Sequence, residues 1–294
     1  MSASPSIYTE RLLDFVSMRH AFAVDATLAC VLVGVVCGVV GTFMVLRGLS
    51  LVGDAAGHAT LPGVCIGFLL AGTKSLGPML LGAALTAAIA VSAVAWLERG
   101  PRSRPDAALG IVLSVSFGIG VVLLSIVQHS PSGAQAGLNQ YLYGSAAAVT
   151  RGQLWQIVGA SSCLLAATVA FFRPLSIFCF DERFARAAGL PVRRLQVGLL
   201  AGLTVAVVIG IQAVGVVLVA AMLILPASAA RLITRRLSTM ALVSALIGGG
   251  AGLVGAASSY VFDSLATGPT MVLAASAAFG LALVLSQRRQ GAAA

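Results

Sequence analysis

Charged side chains are scarce in this sequence. Asp, Glu, Lys and Arg make up 9% of its 294 residues, whereas soluble globular proteins carry about 25%. Aromatic residues are also few, at 6%, while hydrophobic residues reach 59% and the mean hydropathy is +1.02. This composition excludes a soluble globular domain and predicts an all-α integral membrane protein. The 33 glycines favour one compact bundle whose spanning helices approach each other closely.

Two common functional motifs are missing. The cysteines show no CxxC spacing, so neither a disulfide framework nor a zinc knuckle is supported, and we interpret them as packing groups. A nucleotide-binding P-loop requires Gly before its Lys, but the only lysine, Lys74, follows Thr73. The chain therefore lacks that phosphate loop. The five cysteines are Cys30, Cys37, Cys65, Cys163 and Cys179.

Candidate transmembrane helices are visible as runs of about 20 apolar residues bounded by charges, turns or Gly and Pro clusters. Nine such runs predict a polytopic helical bundle. Only Gln212, Ala213 and Val214 divide the sixth from the seventh, so a long broken helix or a short re-entrant hairpin also fits these residues. The predicted spans are residues 22–46, 50–71, 76–97, 107–128, 152–172, 195–212, 214–231, 238–262 and 268–286.

The arginines predict the orientation of the bundle, because basic loops stay in the cytoplasm. With nine spans, the N-terminus outside and the C-terminus cytoplasmic, 14 of the 18 basic residues fall on the inner side. Topology thus explains the net charge of +9, and no nucleic-acid partner is needed. The inner residues are Arg47, Arg99, Arg102, Arg104, Arg173, Arg183, Arg186, Arg193, Arg194, Arg231, Arg235, Arg236, Arg288 and Arg289.

The ends of the chain flank one transmembrane domain, predicted for residues 22–286. Residues 1–21 form an extracytoplasmic segment without the features of a secretory signal, so we expect no cleaved leader. An apolar face in this segment fits a short helix on the membrane surface, and a disordered tail fits equally well. Residues 287–294 are predicted to be a cytoplasmic tail. The apolar face would be formed by Ile7, Leu12, Phe15 and Val16.

The stretch SLVGDAAGHATLPG places two ionisable residues in the second span. Asp54 and His58 are four residues apart, so on a helix they share one face. A carboxylate inside a membrane costs about 3 kcal/mol, which favours a partner or a wet path. Asp with His suits a divalent transition metal or proton transfer, but hydrogen bonding to neighbouring helices is also possible. Ser50 extends the same face, and Cys65 lies about 10 Å further along, too far for the same ion, where it would line a path.

The segment FDERFARAAGLPVRRLQ, at residues 180–196, predicts a short cytoplasmic helix. Asp181 caps its start, Gly189 ends it and Pro191 prevents its continuation. Phe184 with Ala187 and Ala188 gives an apolar side that suits docking to a soluble partner. A plain solvated connection is the alternative.

A third feature is Pro226, within the apolar run VGVVLVAAMLILPASAARL at residues 214–232. Proline removes a backbone hydrogen bond and kinks a helix. Such kinks serve helix packing in many membrane proteins and gating in some.

These three motifs, in this order, resemble the membrane permease subunits of ABC-type uptake systems for zinc, manganese and iron(II). The most specific signs are G-D-x-x-x-H-A at residues 53–59 and F-A-R-x-x-G-L-P at residues 184–191. The resemblance spans most of the chain and implies half of a type II importer in a bacterial inner membrane. Two permease chains would form the path, a cytosolic ATPase dimer would drive it, and an extracytoplasmic metal-binding protein would deliver the ion.

The resemblance also assigns roles to residues. It implies that Asp54 and His58 coordinate the transported metal and that residues 180–194 couple to the ATPase. The family's usual serine before the histidine is replaced by Gly57, which concerns hydrogen bonding around the ligands. The implied coupling residues are Asp181, Phe184, Arg186, Gly189 and Pro191.

We therefore predict that the protein is a transport subunit without enzymatic activity and without a permanently bound cofactor. The alternative is a secondary transporter in which Asp54 and His58 relay protons, and a purely structural subunit is the third reading. His20 and His129 fall in outer segments, and Asp25 and Asp263 at interfaces. The sequence leaves open which metal is carried and whether the second permease chain is identical.

Overall fold

Helices account for all regular secondary structure in the described part of the chain. The computed structural model describes residues 21–72, 76–98, 105–128, 150–215, 218–262 and 265–291. Eleven helices lie in these ranges: α1 Ala21–Leu46, α2 Ser50–Ala71, α3 Leu76–Leu97, α4 Pro105–Gln128, α5 Arg151–Ala170, α6 Phe172–Phe180, α7 Glu182–Ala187, α8 Val192–Val214, α9 Val219–Ile233, α10 Leu237–Val261 and α11 Thr267–Gly291.

Eight of these helices are long and apolar enough to cross a membrane, and they match eight of the nine predicted spans. The predicted seventh span corresponds to α9, which has only 15 residues and is about 22 Å long. That length is shorter than the hydrocarbon core of about 30 Å. The sixth and seventh apolar runs form separate helices. The first of them, α8, ends at Val214, and its C-cap Gly215 has a φ of +92°, which does not continue a helix.

Several boundaries differ from the prediction, and α9 begins at Val219, five residues after the predicted start of the seventh span. The fifth span was expected to reach residue 172, but α5 ends at Ala170 and α6 begins after Phe171. Pro174 explains the break, because it cannot donate to the carbonyl of Ala170 and its ring would clash there. The last helix continues to Gly291, into the predicted tail. Residues 1–20 lie outside the described residues, so the expectations for that segment stay predictions.

The centre of the bundle is α1, which packs against α5, α8, α9 and most extensively against α10. Glycines bring α1 and α10 into backbone contact: a Cβ added to Gly34 would lie 2.1 Å from the Gly248 oxygen. Ser244 Oγ donates a hydrogen bond of 2.7 Å to the Gly38 carbonyl across the same interface. We call this contact the α1–α10 seam. It fixes the two helices face to face over several turns.

A second group consists of α2, α3 and α4, which pack on one another. The C-terminal half of α2 is close to α3, since a Cβ on Gly63 would lie 2.2 Å from the Gly82 oxygen. By contrast, only 17% of the most apolar stretch of α4 is buried inside the structure. Most of α4 therefore presents an apolar surface that the described residues do not cover.

Ion pairs join residues that the predicted topology places on the same side. Arg151 Nε lies 3.4 Å from Asp25 Oδ2 and ties the start of α5 to the start of α1. At the other end of α1, Arg47 Nη2 lies 2.9 Å from Glu182 Oε2. The pairing agrees with a bundle in which α1 and α5 begin on one side and the segment around α7 lies on the other.

Pro226 lies inside α9, whose helical hydrogen bonding continues to Ile233. One turn earlier, α1 approaches α9 so closely that a Cβ on Gly41 would lie 1.9 Å from the Leu223 oxygen. Pro226 itself is buried. These contacts account for a packing role, and a gating role stays a prediction.

Candidate functional site

The structure brings Asp54 and His58 together on α2, as their helical spacing predicts. His58 Nε2 lies 3.5 Å from Asp54 Oδ1, and the side chains are 18% and 35% exposed, respectively. The pair begins one turn into α2, which starts at Ser50. Partial exposure on an otherwise apolar helix means that both groups remain reachable by an ion without being fully solvated.

The histidine is oriented by an aromatic contact. The rings of His58 and Phe117 of α4 meet edge to face, with centroids 5.1 Å apart and planes at 80°. With Nε2 facing Asp54, the other ring nitrogen, Nδ1, is buried and has no hydrogen-bond partner in the described part of the chain. A neutral imidazole has one nitrogen with a free lone pair, which is the form that binds metals. Because Nδ1 is buried, Nε2, which faces Asp54, is the nitrogen placed to share an ion with the carboxylate.

Small residues and apolar side chains surround the pair. A Cβ on Gly53 would lie 3.5 Å from Leu223 Cδ1 of α9 and 3.6 Å from Leu203 Cδ1 of α8. These distances are ordinary van der Waals contacts with flexible side chains. Near Gly53, α2 therefore meets α8 and α9 at side-chain methyl groups.

The pair has no third ligand nearby within the described ranges, where no group of three or more His, Cys, Asp and Glu side chains converges. Cys65 is completely buried, and its role along a path stays a prediction. Ser50 is the first residue of α2, but its side chain lies outside the described part. His20, His129 and Asp263 also lie outside the described residues. The described part of one chain therefore offers two candidate ligands at this position.

The second predicted feature forms the short helix α7, as the sequence indicates. Asp181 caps it, since its Oδ1 accepts a hydrogen bond of 2.9 Å from the Phe184 N–H. Gly189 has φ +77°, which favours glycine. The helix end is closed by the Leu190 N–H, which donates to the Ala185 carbonyl at 3.0 Å. Pro191 then caps α8.

The outward surface of α7 is apolar and basic. Phe184 is 60% exposed, and Ala187 and Ala188 beside it are also exposed. Ala185 faces inward and is completely buried. Arg186 is mostly exposed and pairs with Glu182 at 3.0 Å. Phe184, Ala187 and Ala188 together form an exposed apolar surface on a rigidly capped turn, which suits a protein contact.

Arg47 is a residue whose role the sequence reasoning missed. It had served only as a topology marker, whereas the structure places its guanidinium against both α6 and α7. Its Cζ lies 4.1 Å from the ring centroid of Phe178, and Nη2 pairs with Glu182 Oε2 at 2.9 Å. The signal available in the sequence was a lone arginine in the short connection between the first two spans.

Arg47 also affects a neighbouring thiol. Burial raises the pKa of Cys179 in α6 to about 11, although the Arg47 guanidinium opposes the shift. A thiol with this pKa is protonated at neutral pH and is a poor nucleophile. This agrees with a packing role for Cys179.

Comparison with known proteins gives consistent matches over nearly the whole chain. The family model described as "ABC 3 transport family" matches residues 19–286. The manganese transport system membrane protein MntC of Bacillus subtilis is 44% identical over 94% of this chain, which spans 63% of the length of that relative. The zinc transport system membrane protein TroC of Treponema pallidum is 40% identical, over 88% of this chain and 86% of TroC.

A solved structure shows the same fold. PsaBC from Streptococcus pneumoniae, in complex with Fab, aligns with a TM-score of 0.81 and 32% sequence identity. The alignment covers 92% of this chain and 94% of the other. The helix arrangement described above is therefore shared with this solved structure.

Proposed function

Because the chain belongs to the ABC 3 transport family, we propose that it is the permease subunit of an importer for divalent transition metals. The observation that carries this proposal is the Asp54–His58 pair, in which a carboxylate oxygen and an imidazole nitrogen lie 3.5 Å apart on one face of an apolar helix. Relatives named for manganese and zinc transport support the substrate class. Iron(II) is included because it also binds imidazole and carboxylate ligands.

The chemistry of the pair suits an ion that must bind and leave. A carboxylate and a neutral imidazole replace part of the hydration shell of manganese, zinc or iron(II). Two ligands are too few to hold the ion permanently, and weak binding is what conduction requires. The metal is thus substrate and not a resident cofactor.

A second permease chain would complete the coordination. The exposed face of α4 includes Phe117, which contacts His58 and is itself 42% exposed. A partner packed on this face would cover apolar surface and bring a second pair of ligands towards the first. The proposal holds for an identical chain and for a related one.

Energy is supplied by a cytosolic ATPase dimer that docks on α7. Phe184 is the exposed anchor, Asp181 and Gly189 fix the turn that presents it, and Arg186 and Pro191 flank it. In the predicted orientation, the inner arginines and α7 face the cytoplasm and an extracytoplasmic metal-binding protein delivers the ion opposite. The permease is located in the bacterial inner membrane and catalyses no covalent reaction.

The test is metal accumulation in cells whose only uptake system of this type carries Asp54→Ala or His58→Ala. Each change removes one of two ligands, so we expect manganese or zinc uptake to fall at least about a hundredfold, the cost of losing a charged group that binds an ion. Asp106→Ala is the matched control, because Asp106 is an exposed carboxylate at the start of α4. Inserted variants that accumulate manganese, zinc and iron like the wild type would contradict the proposal.

A further inference from the structure

The turn between α1 and α2 is tied to α7 by one side chain. We propose that Arg47 is a positioning residue that transmits movement of α7 to α2 and thereby to the Asp54–His58 pair. This inference rests on the proposed function, since it assumes that the ATPase acts on α7. It adds the route by which that action reaches the metal-binding helix.

Three contacts hold Arg47 to the segment of α6 and α7. Nη2 pairs with Glu182 Oε2 at 2.9 Å, Nη1 donates to the Phe178 carbonyl at 3.4 Å, and the guanidinium stacks over the Phe178 ring. The Arg47 side chain is only 19% exposed. A cation–π contact combined with a charge-assisted hydrogen bond fixes the position of the guanidinium. The link is therefore directional, unlike a mobile surface ion pair.

On its other side, Arg47 belongs to a closed turn. The Arg47 N–H donates to the Phe43 carbonyl at 3.1 Å, and the Leu49 N–H donates to the Met44 carbonyl at 2.9 Å. Gly48 between them has φ +67°. These bonds leave little slack between the guanidinium and the start of α2. Asp54 follows Ser50 by four residues, about 6 Å along the helix axis.

The rest of α7 packs locally. Its principal helix contacts are α6 and α8, its neighbours in the chain. The Arg47–Glu182 pair joins residues 135 positions apart. It connects α7 to the end of α1, where α2 begins. Displacement of α7 by a bound protein would accordingly pull on the α1–α2 turn through this side chain.

The α1–α2 turn is in a position to respond to such a pull. The first turns of α2 contact α8 and α9 through leucine methyl groups near Gly53. Such contacts permit small shifts, whereas backbone contacts of the kind found in the α1–α10 seam resist them. A displacement at Arg47 would change the setting of Asp54 and His58 before it disturbed the seam.

The experiment measures manganese ions taken up per ATP hydrolysed by the complete transporter in proteoliposomes, with binding protein supplied. For Arg47→Gln we expect this ratio to fall about tenfold, the factor expected from losing one charge-assisted hydrogen bond. Association with the ATPase and thermal stability should stay unchanged. Arg173→Gln is the matched control, because Arg173 is an exposed arginine of α6, and it should transport like the wild type.

Two further variants separate positioning from a merely structural role. Arg47→Lys keeps the charge but loses the planar guanidinium with its several donors. We therefore expect a ratio of manganese uptake to ATP hydrolysed between those of the wild type and Arg47→Gln. Glu182→Gln leaves Arg47 over Phe178 and should lower the ratio as well, which keeps the test valid if Arg47→Gln fails to insert. A ratio for Arg47→Gln and Glu182→Gln equal to that of Arg173→Gln would overturn the proposal. Loss of the ATPase in proportion to the loss of uptake would overturn it too.

The controls distinguish this proposal from the function on which it rests. A wild-type complex that hydrolyses ATP without accumulating manganese or zinc would contradict both. A wild-type complex that transports, together with an Arg47→Gln complex that transports equally well per ATP, would contradict only the role of Arg47.

Discussion

The α1–α10 seam and the first turns of α2 pack in opposite ways. In the seam, a Cβ on Gly34 or Gly248 would lie 2.1 Å from a backbone oxygen of the facing helix. Beside Asp54, a Cβ on Gly53 would meet only leucine methyl groups, at 3.5 Å and beyond. Backbone contacts leave neither helix room to slide, whereas side-chain contacts can rearrange. The rigid frame therefore includes α1 and α10, and the capacity for adjustment lies in the first turns of α2, since a Cβ on Gly63 further along α2 would lie 2.2 Å from the Gly82 oxygen of α3.

This division fits a transporter whose ligands must change their surroundings. Asp54 and His58 lie in the adjustable first turns of α2, and Arg47 joins the end of the rigid helix α1 to α7. The hydrogen bond from Ser244 to Gly38 further fixes the seam, because it satisfies a hydroxyl inside the bundle. Movement that begins at α7 is therefore expected to pass along α2 and to leave α1 and α10 in register.

Gly248→Ala is expected to destabilise the α1–α10 seam more than any other change considered below. The new methyl group would collide with the Gly34 carbonyl, so the helices must separate, at a cost of about 3 kcal/mol in unfolding free energy. Thermal unfolding of the detergent-solubilised protein measures this loss. Gly250→Ala is the matched control in the same helix, because nothing lies within 4 Å of its Cβ position. Equal unfolding temperatures for the two variants would show that the seam is not tightly packed.

Gly53→Ala tests how closely the first turns of α2 are packed. The added methyl meets Leu223 and Leu203 at normal contact distance, and alanine is the better helix former by about 1 kcal/mol. We expect the unfolding free energy to stay the same or to rise by up to that amount in the same thermal assay. A loss as large as that of Gly248→Ala would mean that α2 is as closely packed as the seam, and the comparison would fail.

Local features of this fold could be predicted from the sequence because their causes are local. Apolar runs delimited the spans, the spacing of Asp54 and His58 placed them on one face, and Asp181 and Gly189 marked the two ends of α7. Each depends on residues within a turn or two of one another. The structure bears out these geometries, while the roles of the residues stay proposals.

Long-range features could not be predicted in this way. The pairing of Arg47 with Glu182 and the contact of His58 with Phe117 join distant parts of the chain. Hydrophobic periodicity carries no information about which helix faces which. The predicted end of the fifth span, residue 172, lies two residues beyond α5, because that helix ends ahead of Pro174 and α6 begins separately at Phe172.

The central claim is that His58 and Asp54 bind the transported metal. Pulsed electron paramagnetic resonance on the purified transporter with Mn²⁺ tests it most directly, because a coordinating imidazole gives a nitrogen hyperfine coupling to the ion. We predict that this coupling is present in the wild type, persists in His129→Gln and disappears in His58→Gln. A nitrogen coupling that survives unchanged in His58→Gln would contradict the account.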